Sequence, residues 1–376
     1  MTLKGKKILI VGGGFSGMSA AIQSRKAGAD VDLIEIDSGW RSYGAGISLG
    51  GAALRAFGTL GIIDAFMRRG AAHDGADVFT SAGHPIISLP TPRLAGPDIP
   101  GGGAIMRPVL AGILADATRA SGTKVRLGTT FSTLTNSNNG VVVKFNDGSQ
   151  AAYDLVIGAD GLNSAVRGAE FSNAPEPRYT GQCVWRAVLP RFPEIDRTKM
   201  WMGHKVKAGV NPVSREQMYL FVTEDRPNND RIDPARFVDM LKAMLAQFSA
   251  PTVKAIRDTL NESSHVVYRP LESMLLPRPW FRGRVVLIGD AVHATTPHLA
   301  AGACIGLEDA IVLVEELDRA DSLDEGLEAF QLRRWERCRM VVENSVRLGE
   351  IEITGGDTAE HAKIMRESMI ALAAPI

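Results

Sequence analysis

The chain of 376 residues is 45% hydrophobic, which is enough for a large buried core divided between two domains. Lysine plus arginine and aspartate plus glutamate each number 42, so no net positive field attracts nucleic acid or an anionic membrane. The three cysteines are far apart without metal-ligand spacing, and no apolar run approaches the roughly 20 residues that span a bilayer. We therefore expect a cytoplasmic protein with reduced thiols, and neither a disulfide, a zinc site, a nucleic-acid partner nor a membrane partner.

Residues 6–36 follow the pattern of a strand, a glycine turn, a helix and a second strand, which predicts a βαβ unit. Gly12 permits the tight turn, Gly14 lets the backbone approach a pyrophosphate, and Gly17 lets the helix pack closely on the strand. Glu35 ends the second strand, where its carboxylate can accept hydrogen bonds from the ribose hydroxyls of an adenosine. The unit predicts a dinucleotide site, although a purely structural turn is the alternative. It does not distinguish NAD from FAD, because both present the same ADP half.

Three later segments predict a surface loop, a second strand-turn-helix motif and a separate sheet. Residues 89–104, "LPTPRLAGPDIPGGGA", are rich in proline and glycine and predict a long surface loop that borders the site entrance. The stretch "YDLVIGADGLNSAVR" at 153–167 predicts a buried strand, an Asp-Gly turn and the start of a helix. Residues 178–270 contain three further strand patterns, at 182–190, 199–213 and 215–227, and an amphipathic helix within 233–249, which predicts an antiparallel sheet.

The stretch "GRVVLIGDAVHATTP" at 283–297 repeats the pattern of an apolar strand followed by a glycine and an aspartate. A small-residue turn and a helical pattern follow it. A dehydrogenase that only binds NAD needs neither this motif nor the Asp-Gly motif. The aspartate of this motif, Asp290, either binds a ligand or serves only as a structural helix cap.

The three motifs together resemble the flavin-dependent aromatic hydroxylases, the single-component FAD monooxygenases that include salicylate, para-hydroxybenzoate, urate and 6-hydroxynicotinate hydroxylases. The resemblance covers almost the whole chain. It implies an α/β fold in which a Rossmann-like FAD-binding domain, residues 1–177 with 271–376, carries an inserted antiparallel substrate sheet at 178–270 and a C-terminal helix. Part of that sheet is expected from about 78–105. The resemblance rests on residues 12–17, 43–50, Arg107, Asp160, Gly161, Ser164, Arg167, Gly289, Asp290 and the arginines at 334, 337 and 339.

The resemblance also implies non-covalently bound FAD. Asp290 would bind the ribityl chain, and the helix start at Gly302 and Ala303 would stabilise negative charge on reduced flavin. Arg107 would reach the pyrophosphate or the flavin edge. A positive charge at the positive end of a helix is unfavourable, which favours a ligand role for this arginine. Asp160 would contact the pyrophosphate, with Arg167 bonded to the strand end, and structural bracing is the alternative. The expected cofactor residues are Gly12, Gly14, Ser16, Gly17, Glu35, Arg41, Arg107, Phe131, Asp160, Asp290, Gly302 and Ala303.

The turn at 297–302 departs from the family pattern Pro-x-x-Gly-Gln-Gly, because alanines replace the first glycine and the glutamine. A side-chain amide near the flavin is therefore lost. The Pro-His pair at 297–298 resembles that of 6-hydroxynicotinate hydroxylases, in which the histidine faces the substrate. A histidine there can bind an anionic group or transfer a proton, and a loop histidine bonded to main chain is the alternative. His293 is expected to be structural.

Alternate side chains of the substrate sheet would face the flavin, so either Trp185 or Arg186 does so. The expected catalytic residues are His298 and Tyr219, and the expected substrate-binding residues are Ser48, Arg186, Lys207, Val210 and Pro297. The resemblance implies hydroxylation of a small aromatic or N-heteroaromatic acid or phenol by NAD(P)H and dioxygen through a flavin hydroperoxide, in a monomer or homodimer. An FAD oxidase or reductase on the same fold and a non-catalytic flavin-binding module are the alternatives.

Overall fold

The computed structural model describes residues 2–42 and 44–376, so Tyr43, at the head of the family-like stretch 43–50, lies outside the described residues. The strands are β1 (Lys7–Val11), β2 (Asp30–Glu35), β3 (Gly46–Gly50), β4 (Ala71–His73), β5 (Ala76–Thr80), β6 (Pro85–Leu89), β7 (Gly102–Met106), β8 (Lys124–Leu127), β9 (Phe131–Ser137), β10 (Gly140–Phe145), β11 (Gln150–Tyr153), β12 (Leu155–Gly158), β13 (Arg178–Pro190), β14 (Thr198–Met202), β15 (Val206–Pro212), β16 (Gln217–Asp225), β17 (Val266–Leu275), β18 (Phe281–Arg282) and β19 (Val285–Leu287).

The helices are α1 (Phe15–Lys26), α2 (Gly51–Leu60), α3 (Ile63–Arg69), α4 (Arg107–Ala120), α5 (Ala165–Glu170), α6 (Phe237–Leu245), α7 (Pro251–Thr259), α8 (Asp290–His293), α9 (Gly302–Arg319), α10 (Leu323–Thr354) and α11 (Thr358–Ala373), with short 3₁₀ turns at Pro234–Arg236 and Pro297–Leu299. No helix within the described residues is long and apolar enough to cross a bilayer.

A six-stranded sheet in the order β18-β19-β12-β1-β2-β8 forms the centre of the first unit. Strands β19, β12, β1, β2 and β8 are parallel neighbours, and β18 adds an antiparallel edge. The central strands β1, β12 and β19 are nearly continuous apolar runs because both faces of the sheet are covered, with contacts to α1 and to a three-stranded sheet in the order β11-β10-β9. The carboxyl ends of β1, β12 and β19 lie at one edge, and each predicted motif follows one of these three strands. The predicted mixed α/β fold is confirmed.

A seven-stranded sheet in the order β17-β13-β16-β15-β14-β5-β6 forms the second unit. One face packs against α6 and α7 through a separate apolar cluster that includes Trp185, Leu220 and Leu241. The opposite face carries the alternate residues, among them Arg186 and Tyr219. Since side chains alternate along each strand, this choice of face decides which predicted residues lie on the side away from α6 and α7.

The structure corrects several sequence predictions about the sheets and helices. The seven-stranded sheet is mixed, because β14 pairs with β5 in parallel. Residues 76–89 contribute its β5 and β6, whereas residues 102–106 join a different sheet with β3 and β4, so the predicted loop at 89–104 ends at residue 101. The stretch 199–213, predicted as one strand, contains β14, a turn and β15. Two C-terminal helices, α10 and α11, replace the single predicted one, and the exact domain boundaries remain a prediction.

Candidate active site

The three glycine motifs pack against one another at the carboxyl edge of the parallel sheet. Gly12 has a φ of 105°, and a side chain there would lie 2.5 Å from the carbonyl oxygen of Ala159, just before Asp160. The Ser16 hydroxyl is close to both Gly289 and Gly306, where added Cβ atoms would lie 2.4 and 2.3 Å from Oγ. The glycines therefore permit three backbone segments to meet, which Ser16 helps to pack.

The start of α1 is open in front of the fingerprint turn. Gly14 is its N-cap, with no side-chain cap, and a Cβ at Gly14 would meet nothing within 4 Å. Gly17 instead faces inward, where a Cβ would lie 2.0 Å from the Gly12 carbonyl oxygen. Uncapped amides facing open space at a helix start fit a pyrophosphate.

Glu35 ends β2 beside this turn. Its Oε2 accepts a hydrogen bond from Gly13 N at 2.7 Å, and its Oε1 accepts one from Asp37 N at 2.8 Å. Arg41 is exposed and binds the carboxylate of Asp37, with 2.9 Å between Nη2 and Oδ1. Glu35 thus holds the glycine turn after β1 in place, in addition to any contact with a ribose. Arg41 lies on the solvent-exposed side of this turn.

Asp160 is bound within its own motif. Its Oδ1 accepts a hydrogen bond from the Ser164 hydroxyl at 2.5 Å, and its Oδ2 accepts one from Val166 N at 3.0 Å. Burial raises the pKa of Asp160, and these hydrogen bonds oppose that shift. Arg167 donates to the carbonyl oxygens of Leu162 and Ala291, so it joins the Asp-Gly and Gly-Asp segments rather than binding the end of β12, as the sequence prediction had it.

Asp290 begins α8, directly after Gly289 at the end of the third motif strand. The residue is exposed, yet protein surrounds its carboxylate closely enough that desolvation raises the pKa of Asp290, against the opposing influence of His293 and Arg107. Its carboxylate accepts no hydrogen bond from the described residues. An accessible but unpartnered carboxylate at a strand end fits the hydroxyls of a ribityl chain.

A buried ionic network holds the residue before Asp290, and sequence analysis missed it. Asp309 accepts hydrogen bonds from Gly289 N at 2.9 Å and Arg334 Nε at 2.9 Å, and contacts His293 Nε2 at 2.5 Å. Desolvation alone would lower the pKa of His293, but Asp309 raises it well above its ordinary value. His293 is thus structural, as expected.

The adjacent Glu308 also binds Arg334 and adds a second arginine, Arg337, to this network. It contacts Arg334 Nη2 at 2.9 Å and Arg337 Nη2 at 2.7 Å. The sequence signal was the acidic pair at 308–309 within the otherwise apolar helix pattern of α9, combined with two arginines three residues apart on α10.

Arg107 lies between the cofactor motifs and the substrate sheet. Its guanidinium is 5.3 Å from the centre of the Phe15 ring, at the start of α1. Desolvation lowers the pKa of Arg107, as does the nearby Arg186, whereas Asp290 and Tyr219 oppose this shift. Arg107 therefore interacts with groups from both units.

The register of the seven-stranded sheet separates the predicted substrate residues. Arg186, Tyr219 and Lys207 lie on the face away from α6, and Arg186 Nε donates to the Tyr219 hydroxyl at 2.9 Å. Val210 is completely buried in the cluster against the helices, as is Trp185. The sequence prediction for Val210 is therefore corrected, because its strand position directs it to the opposite face.

Aromatic rings and small residues line part of the face that carries Arg186. The rings of Tyr219 and Phe221 are 5.8 Å apart, and a Cβ at Gly46 would lie 2.6 Å from Cγ of Tyr219. Ser48 Oγ accepts a hydrogen bond from Asn211 Nδ2 at 2.8 Å. Ser48 thus joins β3 to the sheet.

His298 lies against α10, with only 2% of its side chain exposed. Its Nδ1 is 2.8 Å from Thr296 Oγ1, and its Nε2 is 3.5 Å from Glu352 Oε2 without a hydrogen-bond partner among the described residues. Lys207 Nζ donates to Glu352 Oε1 at 2.7 Å. The structure thus brings together two predicted residues, His298 and Lys207, around Glu352, which sequence analysis missed because it lies far along the chain on a mostly polar helix.

The other predicted residues lie on separate elements. Pro297 is exposed at the start of the 3₁₀ turn, and Gly302 and Ala303 form the first turn of α9 with Ala301 as N-cap. Phe131 begins β9 two residues after Thr129, whose N–H donates to the Glu35 carbonyl at 3.0 Å. Together with the open start of α1 and the free Asp290 carboxylate, this arrangement fits FAD.

Comparison with known proteins shows to which family the chain belongs. The model of an FAD binding domain family matches residues 6–345. Aurachin C monooxygenase/isomerase of Stigmatella aurantiaca is 32% identical over 92% of this chain and 90% of its own length. The 2-heptyl-3-hydroxy-4(1H)-quinolone synthase of Pseudomonas aeruginosa is 32% identical over 92% of this chain and 89% of its own.

A solved structure supports the fold independently. Klebsiella pneumoniae HpxO, crystallised with FAD and uric acid, superposes with a TM-score of 0.80 at 24% identity, over 98% of this chain and 92% of the other. At that identity the likeness establishes the fold, and the two curated relatives establish the family. The chain therefore belongs to the family of FAD-dependent aromatic monooxygenases.

Proposed function

We propose that this enzyme hydroxylates a small N-heteroaromatic ring, with NAD(P)H as reductant and dioxygen as the oxygen source. The observation that carries the proposal is the position of Arg107. Its guanidinium lies 5.3 Å from the centre of the Phe15 ring at the start of α1, and its backbone N–H donates to the carbonyl oxygen of Ala45, next to Gly46, which packs against Tyr219 of the sheet. A site that joins the two units in this way can hold a ring beside a flavin.

We assign FAD to the edge where the glycine motifs meet. The open amides at the start of α1 would face its pyrophosphate, Glu35 its ribose, and Asp290 its ribityl chain. Gly302 and Ala303, at the positive end of α9, would favour negative charge nearby. When bound, FAD supplies the redox chemistry with NAD(P)H and dioxygen.

The chain's own residues would bind and orient the substrate. Tyr219 and Phe221 provide aromatic surface, and the bond from Arg186 fixes the Tyr219 hydroxyl. The bond from Asn211 fixes Ser48 at one end of this face. His298 and Lys207 provide polar groups at the other end, where His298 would accept or donate a proton at Nε2.

The names of similar proteins support an N-heteroaromatic substrate. One relative is named for a 4(1H)-quinolone, and HpxO was crystallised with uric acid. Both compounds contain a ring N–H and a ring carbonyl group. We therefore favour a ring of this class over a simple phenol.

We further propose a cytoplasmic location and a monomer or homodimer. All three cysteines, Cys183, Cys304 and Cys338, are free and buried, which supports a reducing compartment.

The test is a screen of quinolones, pyridones and purines with the FAD-loaded enzyme under ¹⁸O₂. We expect one class to stimulate NAD(P)H consumption and to yield a product with one ¹⁸O atom. Stimulated consumption that gives only hydrogen peroxide with every ring would favour an oxidase instead. If no compound stimulates consumption, a non-catalytic flavin-binding role would be favoured.

A further inference from the structure

The carboxylate of Glu352 is the centre of a partly buried polar cluster between α10, α11 and the seven-stranded sheet. It accepts a hydrogen bond from Lys207 Nζ at 2.7 Å, contacts His361 Nε2 at 3.3 Å, and lies 3.5 Å from His298 Nε2. Glu352 and Lys207 are 15% and 16% exposed in their side chains. The proposed function assigns Lys207 to the substrate but gives Glu352 no role.

Lys207 belongs to the same sheet face as Arg186. In the register, Arg186 pairs with Phe221 and Phe221 with Gly209, so Lys207 lies two residues further along β15. With strands about 4.8 Å apart and residues about 3.3 Å apart, the two Cα atoms are separated by roughly 12 Å. A bicyclic ring bound near Arg186 and Tyr219 would extend along this face toward Lys207.

The Lys207 end of the face has no net positive charge. Burial would raise the pKa of Glu352, but Lys207 and His298 lower it well below its ordinary range, so the carboxylate is ionised. Burial lowers the pKa of His298, so its ring is neutral near pH 7. The Lys207 charge and the Glu352 charge then cancel.

The other charged groups around this end are Asp225 and Lys205 on one side and His361 on the other. Asp225 on β16 accepts a hydrogen bond from Gln182 Nε2 at 3.2 Å, and the charge of Lys205 opposes the desolvation that raises the pKa of Asp225. His361 on α11 contacts Glu352 itself. A ring carboxylate that approached Lys207 would have to compete with Glu352 and would face its negative charge in a poorly hydrated site.

Neutral hydrogen-bonding groups of a ligand would find partners at this end. Gln182 Oε1 and His298 Nε2 are buried and have no hydrogen-bond partner among the described residues. Both approach Gly349 on α10, where a Cβ would lie 2.9 Å from Gln182 Oε1 and 3.3 Å from His298 Nε2. Buried polar atoms normally have partners, so these two are candidates to accept from a ring N–H and to donate to a ring carbonyl.

We infer that Glu352 sets the charge of the substrate: by neutralising Lys207, it makes the site select uncharged N-heteroaromatic rings and discriminate against the same rings bearing a carboxylate. This inference rests on the proposed function and specifies the substrate class of the same site. Glu352 is thus a specificity-determining residue, and it acts through Lys207.

The experiment compares ring pairs that differ in a carboxylate, in the FAD-loaded enzyme without reductant. The probes are 4(1H)-quinolone with 4-hydroxyquinoline-2-carboxylate, and 2-hydroxypyridine with 6-hydroxynicotinate. Dissociation constants come from flavin absorbance changes at pH 7.5. We expect the wild type to bind the neutral member at least about 10-fold more tightly, and Glu352→Gln to improve binding of the acid at least about 10-fold while changing the neutral ring less than about 3-fold.

Three variants make the comparison specific. Combining Lys207→Met with Glu352→Gln should abolish the gain for the acid, because the freed ammonium is its cause. Lys207→Met alone leaves Glu352 uncompensated and should weaken acid binding further, which keeps the inference testable if Glu352→Gln does not fold. Glu350→Gln is the matched control, because Glu350 lies on the same helix but is exposed and pairs with Arg347.

The inference is wrong if Glu352→Gln keeps the wild-type ratio, if the wild type prefers the acids, or if no neutral ring binds to it. An unchanged ratio in an enzyme that still forms oxygenated product contradicts this inference alone. Normal selectivity in binding without any oxygenated product contradicts the proposed function alone.

Discussion

The backbone N–H of Gly289 donates a hydrogen bond of 2.9 Å to Oδ2 of Asp309, a completely buried residue on α9. Gly289 has a φ of 63° and directly precedes Asp290, the proposed ribityl ligand. Asp309 is itself held by Arg334 and His293. The position of the Asp290 carboxylate therefore depends on a buried ion network whose central residue, Asp309, lies about 20 residues further along the chain.

Replacing Asp309 with Asn should destabilise the protein and weaken FAD binding together. The change leaves Arg334 without its full countercharge, and breaking a buried pair costs about 3–5 kcal/mol. Urea unfolding of the apoprotein and FAD titration measure the two effects. Glu315→Gln, on the same helix but partly exposed, is the control and should change neither strongly. Wild-type stability in Asp309→Asn would show that the network carries no such energy.

Asp290→Asn should separate cofactor binding from stability. The variant removes acceptors worth roughly 1.5–3 kcal/mol, so FAD affinity should fall about 10- to 150-fold. Apoprotein stability should be unchanged or slightly higher, because desolvation already raises the pKa of Asp290 and the variant removes that unfavourable charge. Fluorescence titration and urea unfolding test both parts. A loss of stability with FAD affinity retained would assign Asp290 to the helix cap instead.

The His293–Asp309 pair predicts how stability depends on pH. The folded-state pKa of His293 is raised, so its contribution is complete below its unfolded pKa of about 6.5 and is lost as pH rises through the folded value. The pKa of Asp309 is lowered, so its contribution is present above about 3.9 and is lost as pH falls through its folded value. Urea unfolding between pH 5 and 10 should show declining stability at high pH, and His293→Asn should flatten that decline. An equal decline in the variant would exclude His293 as its source.

Val210→Ala should affect stability and Tyr219→Phe should affect substrate binding, because the two side chains lie on opposite faces of the sheet. Val210 is buried against the helices, so its truncation should cost about 2 kcal/mol of stability and leave the substrate constant unchanged. Tyr219→Phe loses the bond from Arg186 and should raise the substrate constant with little loss of stability. Thermal unfolding and steady-state kinetics distinguish them. A substrate effect from Val210→Ala would contradict the observed register.

His298→Ala should spare FAD binding but slow turnover by roughly 10²-fold, or raise the apparent substrate constant, if His298 binds the substrate or transfers its proton. Uncoupled NAD(P)H consumption should then release hydrogen peroxide. Measuring product and peroxide together checks this expectation. Normal turnover without extra peroxide would assign His298 to a structural role, supported by its contact with Thr296.

The sequence alone was sufficient to predict the local elements that are proposed to bind the cofactor. Gly12, Gly14 and Gly17 need particular backbone space at fixed spacing, so their pattern predicted the βαβ turn and its helix. Glu35 was correctly expected at the end of β2, and Arg107 at the start of α4. These features depend on contacts between residues near in the chain, which periodicity and spacing report directly.

The tertiary structure alone decided which side chains meet across the chain. Strand alternation predicts that Trp185 and Arg186 lie on opposite faces of the sheet, but only the packing of α6 and α7 shows that Trp185 is the buried one. The same packing directs Val210 away from the site. The meeting of Lys207, His298 and Glu352 joins residues up to 145 positions apart, and no local pattern encodes which distant helix covers a sheet face.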